Sequence, residues 1–209
     1  MTTSTGEPRR RRRPDERREE VAQTARDLAL GDGLAALSLR SIASSMNVAS
    51  GLVAHYEPSM EELTASTFRH VVAVELTEVR ALVDDAPTGL DRLDRLVTTL
   101  LDPERDALST IWADAWSLGR RMPLLARAAR ESMDSWHSYA REILLAAVAE
   151  GSVRTTEPDL VALELFALVD STTAYALVSY RTPKERNQLV RRALEQALGL
   201  ESGILARRA

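Results

Sequence analysis

Apolar residues recur along this chain at the spacing of helices, and short breaks separate the runs. The first run follows Pro14 and places four apolar residues on one helix face: Val21, Ala25, Leu28 and Ala29. Gly31 and Gly33 come next and end the helix, because glycine adopts the left-handed backbone conformation at little cost. This opening segment therefore predicts one amphipathic helix with a defined end.

Caps and breaks divide the rest of the chain into eight further helices. Ser38 is an N-cap candidate, and Ser59 with Glu62 and Thr182 with Glu185 have the spacing of capping boxes. The predicted helices cover about 14–30, 38–46, 49–56, 59–83, 88–101, 102–118, 123–150, 156–180 and 182–199. No segment shows the alternation of a strand, so we predict an all-α fold of nine helices.

The second and third predicted helices are short, and Asn47 lies in the tight turn between them. Two such helices backed by a third are typical of a helix-turn-helix, whose second helix must enter a major groove about 12 Å wide. We expect four apolar residues to anchor the unit: Ile42, Ala43, Val48 and Leu52. Small residues are then left to face outward, close to the base edges: Ser50, Gly51, Val53, Ala54 and His55.

Charge is distributed unevenly along the chain. The net charge is -4, yet the first 18 residues contain seven arginines and only three acidic residues. Five of these arginines are adjacent: Arg9, Arg10, Arg11, Arg12 and Arg13. An arginine arm beside a recognition module can enter the minor groove of DNA, although it can also serve only as a solubilising tail.

The composition excludes several classes of site. There is no cysteine, which rules out disulfides and thiolate metal sites, and His70 and His137 are isolated from any catalytic motif. We therefore expect no metal and no cofactor. The basic N-terminal run has no apolar segment behind it, and no apolar run approaches about 20 residues, so we predict a cytoplasmic protein without a membrane segment.

Four spaced motifs resemble the DNA-binding region of the TetR family of bacterial regulators. They are Leu-Arg-Ser-Ile-Ala at 39–43, Asn-Val-Ala-Ser-Gly at 47–51, His-Tyr at 55–56 and Ser-Met-Glu-Glu-Leu at 59–63. The His-Tyr pair is most similar to the betaine-operon repressor subgroup. The chain departs from the family pattern at Asn47, Glu57 and Met60, where the family has Gly, Phe and a Lys that resembles a phosphate clamp.

The resemblance implies a homodimeric repressor that binds an inverted repeat in double-stranded DNA and leaves it when a small-molecule effector binds. The implied DNA contacts, besides the arginine arm, are Ser38, Arg40, Ser41, Ala49, Ser50, Gly51, Val53, His55 and Tyr56. We divide the chain into a basic arm (1–13), a helix-turn-helix domain (14–58) and a ligand-binding and dimerisation domain (59–209). A DNA-binding dimer without an effector and a helical enzyme remain alternatives.

Aromatic and sulfur-containing residues cluster in helices 6 and 7, where the resemblance places an effector pocket bordered by helix 8. The candidates for ligand binding are Trp112, Trp116, Met133, Trp136, His137, Tyr139, Asp170 and Thr173. A pocket of this kind would be mostly apolar with a few polar groups, among which Asp114 is a further candidate. The alternative is that these residues form an ordinary core.

Helix 8 is apolar on nearly all sides. One small monomer cannot easily bury that much apolar surface. In the family, the helices that match 8 and 9 form a four-helix bundle across a two-fold axis. We therefore predict a dimer interface that contains Leu163, Phe166, Val169, Tyr175, Leu189 and Leu194. Packing within one chain is the alternative.

Overall fold

The structure is a computed structural model that describes residues 13–205, apart from the side chain of residue 106. Those residues form nine α-helices, two 3-10 turns (Leu34–Ala36 and Pro103–Arg105) and no strand, which confirms the predicted all-α fold. The helices are α1 Pro14–Asp32, α2 Leu39–Ser45, α3 Ser50–Tyr56, α4 Met60–Val83, α5 Gly89–Leu100, α6 Asp106–Gly119, α7 Pro123–Ala149, α8 Pro158–Leu177 and α9 Pro183–Ala197. Four predicted DNA contacts lie outside the described residues: Arg9, Arg10, Arg11 and Arg12.

The first three helices and the first turn of α4 enclose a small core of their own. Its buried members are Val21, Ala25, Ile42, Ala43, Val53 and Leu63. The N-terminus of α2 is capped in both directions: Ser38 Oγ accepts from Ser41 N at 3.0 Å, and Ser41 Oγ accepts from Ser38 N at 2.9 Å. Asn47 has φ 52° in the turn before α3, so the chain reverses there as its left-handed tolerance predicts.

One residue of α3 faces the opposite way from the prediction. Val53 is fully buried (0% exposed) and anchors the small core, whereas Leu52, the predicted anchor, is partly exposed. A seven-residue helix makes less than two turns, so apolar spacing does not fix which face turns inward. The turn at Asn47 and the packing of α3 against α1 decide which face turns inward. Val53 is therefore not one of the outward-facing residues that could contact DNA.

The remaining helices form a larger body around α7, which packs against α4, α5, α6 and α8. Helix caps set several of its boundaries. Thr182 and Glu185 form the predicted capping box at α9, and the Thr88 hydroxyl caps α5 by accepting from Asp91 N at 3.1 Å. At α4, Ser59 Oγ accepts from Glu62 N at 3.2 Å.

Two predicted helix starts need correction. The Glu62 carboxylate pairs with Arg69 at 2.9 Å and not with the Ser59 backbone, so α4 has only half of a capping box. Asp102 caps the 3-10 turn Pro103–Arg105, and α6 begins at Asp106 rather than directly after Asp102. A 3-10 turn winds more tightly than an α-helix. The first side chains after the cap therefore point in other directions than they would if an α-helix began there.

A buried polar network fixes α9 to α5 and to the C-terminal segment. The Arg191 guanidinium pairs with the Asp94 carboxylate, donates to the Leu205 carbonyl, and reaches Thr98 Oγ1 at 2.6 Å. Glu195 accepts from the backbone N–H groups of Gly203 (2.9 Å) and Leu205 (3.0 Å). Arg191 and Asp94 neutralise each other, and backbone N–H groups satisfy the Glu195 carboxylate, so the network can stay buried.

Helix α8 is long and apolar enough, by length and composition alone, to cross a membrane, which the sequence analysis did not expect. Within the fold it packs against α6, α7 and α9 on one side and exposes apolar side chains on the other. A helix buried between two chains has the same composition as a membrane span. Its apolar character is therefore also what the predicted subunit interface would require.

Candidate functional site

The predicted DNA surface lies mainly on the outer side of α2 and α3. Six of the predicted residues are exposed there: Ser38, Arg40, Ala49, Ser50, Gly51 and His55. Tyr56 is partly buried, and its ring packs edge-on against His55 with ring centroids 5.0 Å apart. Four of these exposed residues are small (Ser38, Ala49, Ser50 and Gly51), as close approach to DNA would require.

Gly51 is exposed among these residues, and nothing in its own fold requires a glycine there. A methyl group added at its Cα would meet no atom within 4 Å beyond its own helix backbone and its chain neighbours, and its backbone is helical. Glycine is unfavourable within a helix, by about 1 kcal/mol relative to alanine. A glycine that the fold does not require is consistent with close approach to another molecule.

Two residues near this surface have structural roles. The Ser41 hydroxyl donates to the Ala36 carbonyl at 2.8 Å, so its proton is already used within the chain. This bond argues against the predicted phosphate contact from Ser41 in this conformation. Met60, which stands where the family has Lys, packs against the small core.

A cavity in the body brings together seven of the eight predicted ligand-binding residues. It has about 580 Å³ of empty space, part of it open to solvent, and lies between α4, α6, α7 and α8. The seven predicted residues on its wall are Trp112, Trp116, Met133, Trp136, His137, Asp170 and Thr173. The sequence missed seven others: Glu75, Leu100, Arg105, Leu108, Ser109, Phe166 and Val169.

Aromatic rings from three helices form much of this wall. The centroids of Trp112 and Trp116, one turn apart on α6, are 5.9 Å apart. Trp136 of α7 meets Phe166 of α8 edge-on at 5.9 Å, and His137 lies 5.1 Å from the same phenyl ring. The cavity therefore presents several π systems to whatever occupies it.

A buried ion pair supports the aromatic wall. Arg105 Nη2 donates to Glu75 Oε1 at 3.0 Å, and Trp112 Nε1 donates to Glu75 Oε2 at 3.3 Å, which fixes the Trp112 ring. Burial raises the pKa of Glu75, and the bond from Arg105 partly offsets that effect. The sequence carried a signal for this residue, because Glu75 interrupts the apolar stripe that includes Val71 and Val79.

Asp170 is a second carboxylate on the cavity wall, and it has no cationic partner in the described part of the chain. Burial raises the pKa of Asp170 from 3.8 to about 6, because the ionised form loses hydration. Burial also lowers the pKa of His137, which keeps that imidazole neutral near pH 7. At that pH the cavity therefore holds an unpaired negative charge among aromatic rings.

The predicted ligand residue Tyr139 and the further candidate Asp114 lie elsewhere. Tyr139 is buried in the main core and donates its hydroxyl to Asp84 Oδ1 at 2.9 Å, with the Arg80 guanidinium 4.3 Å from its ring centroid. The side chain of Asp114 faces the turn between α1 and α2. Tyr139 and Trp136 are three residues apart on α7, so they share a side of the helix but contact different neighbours.

The structure separates the predicted interface residues into two groups. Phe166 and Val169 line the cavity, and Leu194 is buried in the core of its own chain, so these three are not exposed to a partner. Leu163 (52% exposed) and Leu189 (46%) face outward, and Tyr175 is partly exposed. Four further exposed apolar residues lie on or near α8: Leu160, Leu177, Val178 and Tyr180.

Within residues 13–205, hydrogen bonds to two carboxylates join the small N-terminal unit to the body. Asp114 Oδ2 on α6 accepts from Ala35 N at 2.9 Å, and Glu61 Oε1 at the start of α4 accepts from Leu124 N at 2.8 Å. Gly33 (φ 84°) allows the first contact, because a Cβ there would lie 2.6 Å from Asp114 Oδ2. Helix α6 thus touches the small unit through Asp114 and the cavity through Trp112 and Trp116.

Comparisons with solved structures show the same fold. A transcriptional regulator from Saccharomonospora viridis, solved in complex with choline, matches with a TM-score of 0.77 and 20% identity over 88% of this chain and 98% of that chain. A TetR transcription regulator from Haloarcula marismortui matches with a TM-score of 0.73 and 16% identity, covering 88% and 97% of the two chains.

Sequence comparisons show the family. The HTH-type transcriptional regulator BetI of Burkholderia mallei is 31% identical over 111 residues, which are 51% of this chain and 56% of that protein. The match thus spans about half the length of this curated relative. Residues 89–199 match the family described as the C-terminal region of BetI-type transcriptional repressors, whose members are regulators and not enzymes. Because this match covers more than half of the chain, the protein belongs to the TetR family of transcriptional regulators, with a body of the BetI type.

Proposed function

We propose that this protein is a dimeric, DNA-binding repressor that leaves its operator when a small organic cation of the quaternary ammonium type binds the cavity. The observation that carries the proposal is the meeting of four aromatic rings with the unpaired carboxylate of Asp170. Aromatic faces attract weakly hydrated cations, and a buried carboxylate adds a full opposite charge. The choline bound to the S. viridis protein of the same fold supports this choice of ligand.

The charges on the cavity wall favour a ligand with one positive charge. Glu75 and Arg105 neutralise each other, His137 is held neutral, and Asp170 is left with one negative charge. A monocation would cancel that charge and stabilise the ionised form of Asp170. An anionic ligand would instead add a second buried negative charge, which is costly at low dielectric.

On the DNA side, we propose that two copies place their α3 helices in successive major grooves. A two-fold dimer separates recognition helices by about 34–36 Å, one turn of DNA, so the operator would be an inverted repeat. The exposed apolar face of α8 and α9 supports an interface there. Such a regulator would act in the cytoplasm, where its DNA is found.

We propose that α6 and α4 carry the signal between the two sites. A cation between the rings would shift Trp112 and Trp116, and Asp114 on the same helix would then move the turn that contains Ala35. Helix α4 reaches both sites, because Glu75 lies on the cavity wall and Leu63 in its first turn is buried in the small core of the DNA-binding unit. Linkage requires that DNA weaken cation binding by the same factor by which the cation weakens DNA binding.

The test is to select a duplex from random DNA with the full chain and to titrate the complex with choline, following fluorescence anisotropy. We expect choline to release the DNA and to raise the melting temperature of the free protein, because a ligand of the folded state stabilises it by mass action. DNA binding without any effect of choline or related cations would favour the alternative of a dimer without this effector.

Replacing Gly51 with leucine should separate DNA binding from folding. We expect the variant to lose selected-duplex affinity by roughly tenfold or more, because base-edge contacts worth about 1–3 kcal/mol each are sterically blocked. Its melting temperature should not fall, since leucine is the better helix former. The matched control is Gly31→Leu, at another glycine with open space around it and outside the predicted DNA surface. Unchanged DNA affinity in Gly51→Leu would contradict the assigned surface.

Replacing Leu163 with glutamate should convert the dimer to monomers at micromolar concentration. The side chain is 52% exposed in one chain, and a charge there would be buried without a partner across the predicted interface. Leu82→Glu is the control, because Leu82 is 54% exposed on α4. Sedimentation velocity distinguishes the variants. A wild-type monomer, or a Leu163→Glu dimer as stable as the wild type, would refute the proposed interface.

A further inference from the structure

Positive charge is concentrated where α6 turns into α7, although the whole chain has a net charge of -4. Residues 119–130 include four exposed arginines and no acidic residue: Arg120, Arg121, Arg127 and Arg130. Arg127 reaches Glu131 only at 3.9 Å, and the other three form no ion pair with the described residues. The protein therefore leaves this positive charge largely unneutralised.

The start of α7 lies at the DNA-binding end of the body. Helices α4 and α7 run parallel, because Glu61 accepts from Leu124 N at 2.8 Å near their starts. Further along both helices, Arg80 reaches Glu142 at 3.3 Å. Only three residues separate α3 from the start of α4, and Arg120 and Arg121 directly precede the start of α7. These two arginines therefore lie at the same end of the body as α3.

The proposed DNA surface has little positive charge of its own. Within residues 38–56, which include α2 and α3, Arg40 is the one arginine and there is no lysine. The first turn of α4 contains Met60, Glu61 and Glu62, so it presents carboxylates and no cation. Contacts with phosphates supply much of the affinity of most DNA-binding proteins. Cations from another element are therefore needed at this end of the molecule.

We infer that Arg120 and Arg121 contact phosphates of the operator backbone beside the half-site bound by α3. This inference rests on the proposed function, in which α3 lies in a major groove. A guanidinium group can donate two parallel hydrogen bonds to one phosphate. The N–H groups of Arg121 and Met122 both donate to the Leu118 carbonyl, at 2.9 and 3.1 Å, so the backbone of the turn is fixed before DNA binds.

The experiment uses the full chain and measures affinity for its selected duplex and for a scrambled duplex by fluorescence anisotropy at several salt concentrations. In the double variant Arg120→Gln with Arg121→Gln, we expect affinity for the selected duplex to fall by about tenfold or more at about 100 mM salt. The slope of log affinity against log salt should become shallower by about 2–4, because each lost phosphate contact removes about 0.9 and a dimer carries both arginines twice.

The ratio of the two affinities separates backbone contacts from base contacts. Phosphate contacts carry no sequence information, so the double variant should keep the wild-type preference for the selected duplex within about threefold. Gly51→Leu should instead lose much of that preference, because it blocks access to base edges.

Arg95→Gln with Arg154→Gln is the matched control, because it removes the same charge at the opposite end of the body. Arg154 follows the end of α7, and Arg95 donates to the Leu82 carbonyl near the end of α4 at 3.0 Å. We expect a wild-type salt slope, since exposed charges beyond about 10 Å are largely screened at 0.1 M salt. Arg120→Lys with Arg121→Lys keeps the charge and should keep most of the slope.

The outcomes distinguish this inference from the proposed function. A salt slope in Arg120→Gln with Arg121→Gln equal to that of the control, or a loss confined to the selected duplex, would overturn the backbone contact and leave the α2–α3 surface intact. A loss that lysine at both positions does not restore would overturn its electrostatic basis. If the wild type prefers no duplex, the proposed function itself is wrong.

Discussion

An Asp170→Asn variant is expected to lose choline binding and, at neutral pH, to be more stable than the wild type. The carboxylate is the unpaired charge of the cavity, and removing one partner of a buried charge pair costs about 2–5 kcal/mol, or roughly 30-fold or more in affinity. Asparagine has nearly the same shape, so the rings should stay in place. Isothermal titration with choline measures the loss.

The gain in stability follows from the pKa of Asp170, which burial raises from 3.8 to about 6. Between these values the folded protein holds a proton that the unfolded chain has released, so wild-type stability falls as the pH rises through this range. Above pH 6 the folded protein bears the full cost of a buried, ionised Asp170. We expect Asp170→Asn to remove roughly 1–2 kcal/mol of this cost, since solvent reaches part of the carboxylate. Melting curves at pH 8 and pH 4 should show the difference shrink at the lower value.

Choline affinity of the wild type should weaken as the pH falls below about 6, because the cation needs the ionised form of Asp170. The other titratable and charged groups facing the cavity are Glu75, Arg105 and His137. Glu75 stays paired with Arg105, while protonation of His137 at low pH would weaken cation binding in the same direction, so His137→Gln is the control. If Asp170→Asn bound choline as tightly as the wild type, the Asp170 carboxylate would not contribute to the binding site.

An Arg191→Met variant should lose about 3–5 kcal/mol of unfolding free energy, because it leaves the Asp94 carboxylate buried without its partner. It also removes the bond to Thr98 on α5 and the bond to the Leu205 carbonyl, which holds the C-terminal segment against α9. Urea unfolding followed by circular dichroism measures the change.

The double variant Asp94→Leu with Arg191→Met provides the matched comparison. An apolar pair of similar volume can replace a buried ion pair at little cost, so we expect much of the loss to be recovered. Arg127→Met removes an exposed pair with Glu131 and should change the free energy of unfolding by less than about 1 kcal/mol. If Arg191→Met lowered the free energy of unfolding as little as Arg127→Met, the Arg191 network would not be a major source of stability.

Local features of the sequence determined the helices and the turn of the DNA-binding unit. Caps such as Ser38 and Thr182, the left-handed Asn47 and the glycine after α1 act within a few residues, so they can be read without knowledge of the fold. The concentration of tryptophans in α6 and α7, taken with the family resemblance, also pointed to the cavity. Trp112 and Trp116 lie on the same face of α6 because they are one turn apart.

Tertiary structure alone decided which way the short or uniformly apolar helices face. Val53 lies in a helix too short to have a defined phase, and α8 is apolar on all sides, so spacing could not assign Phe166 to the cavity and Leu163 to the surface. The polar contacts of Glu75 with Arg105 join residues 30 positions apart and depend on how α4 meets the start of α6. Helix formation is encoded by neighbours in sequence, whereas helix orientation and charge pairing are set by the helices that pack around each residue.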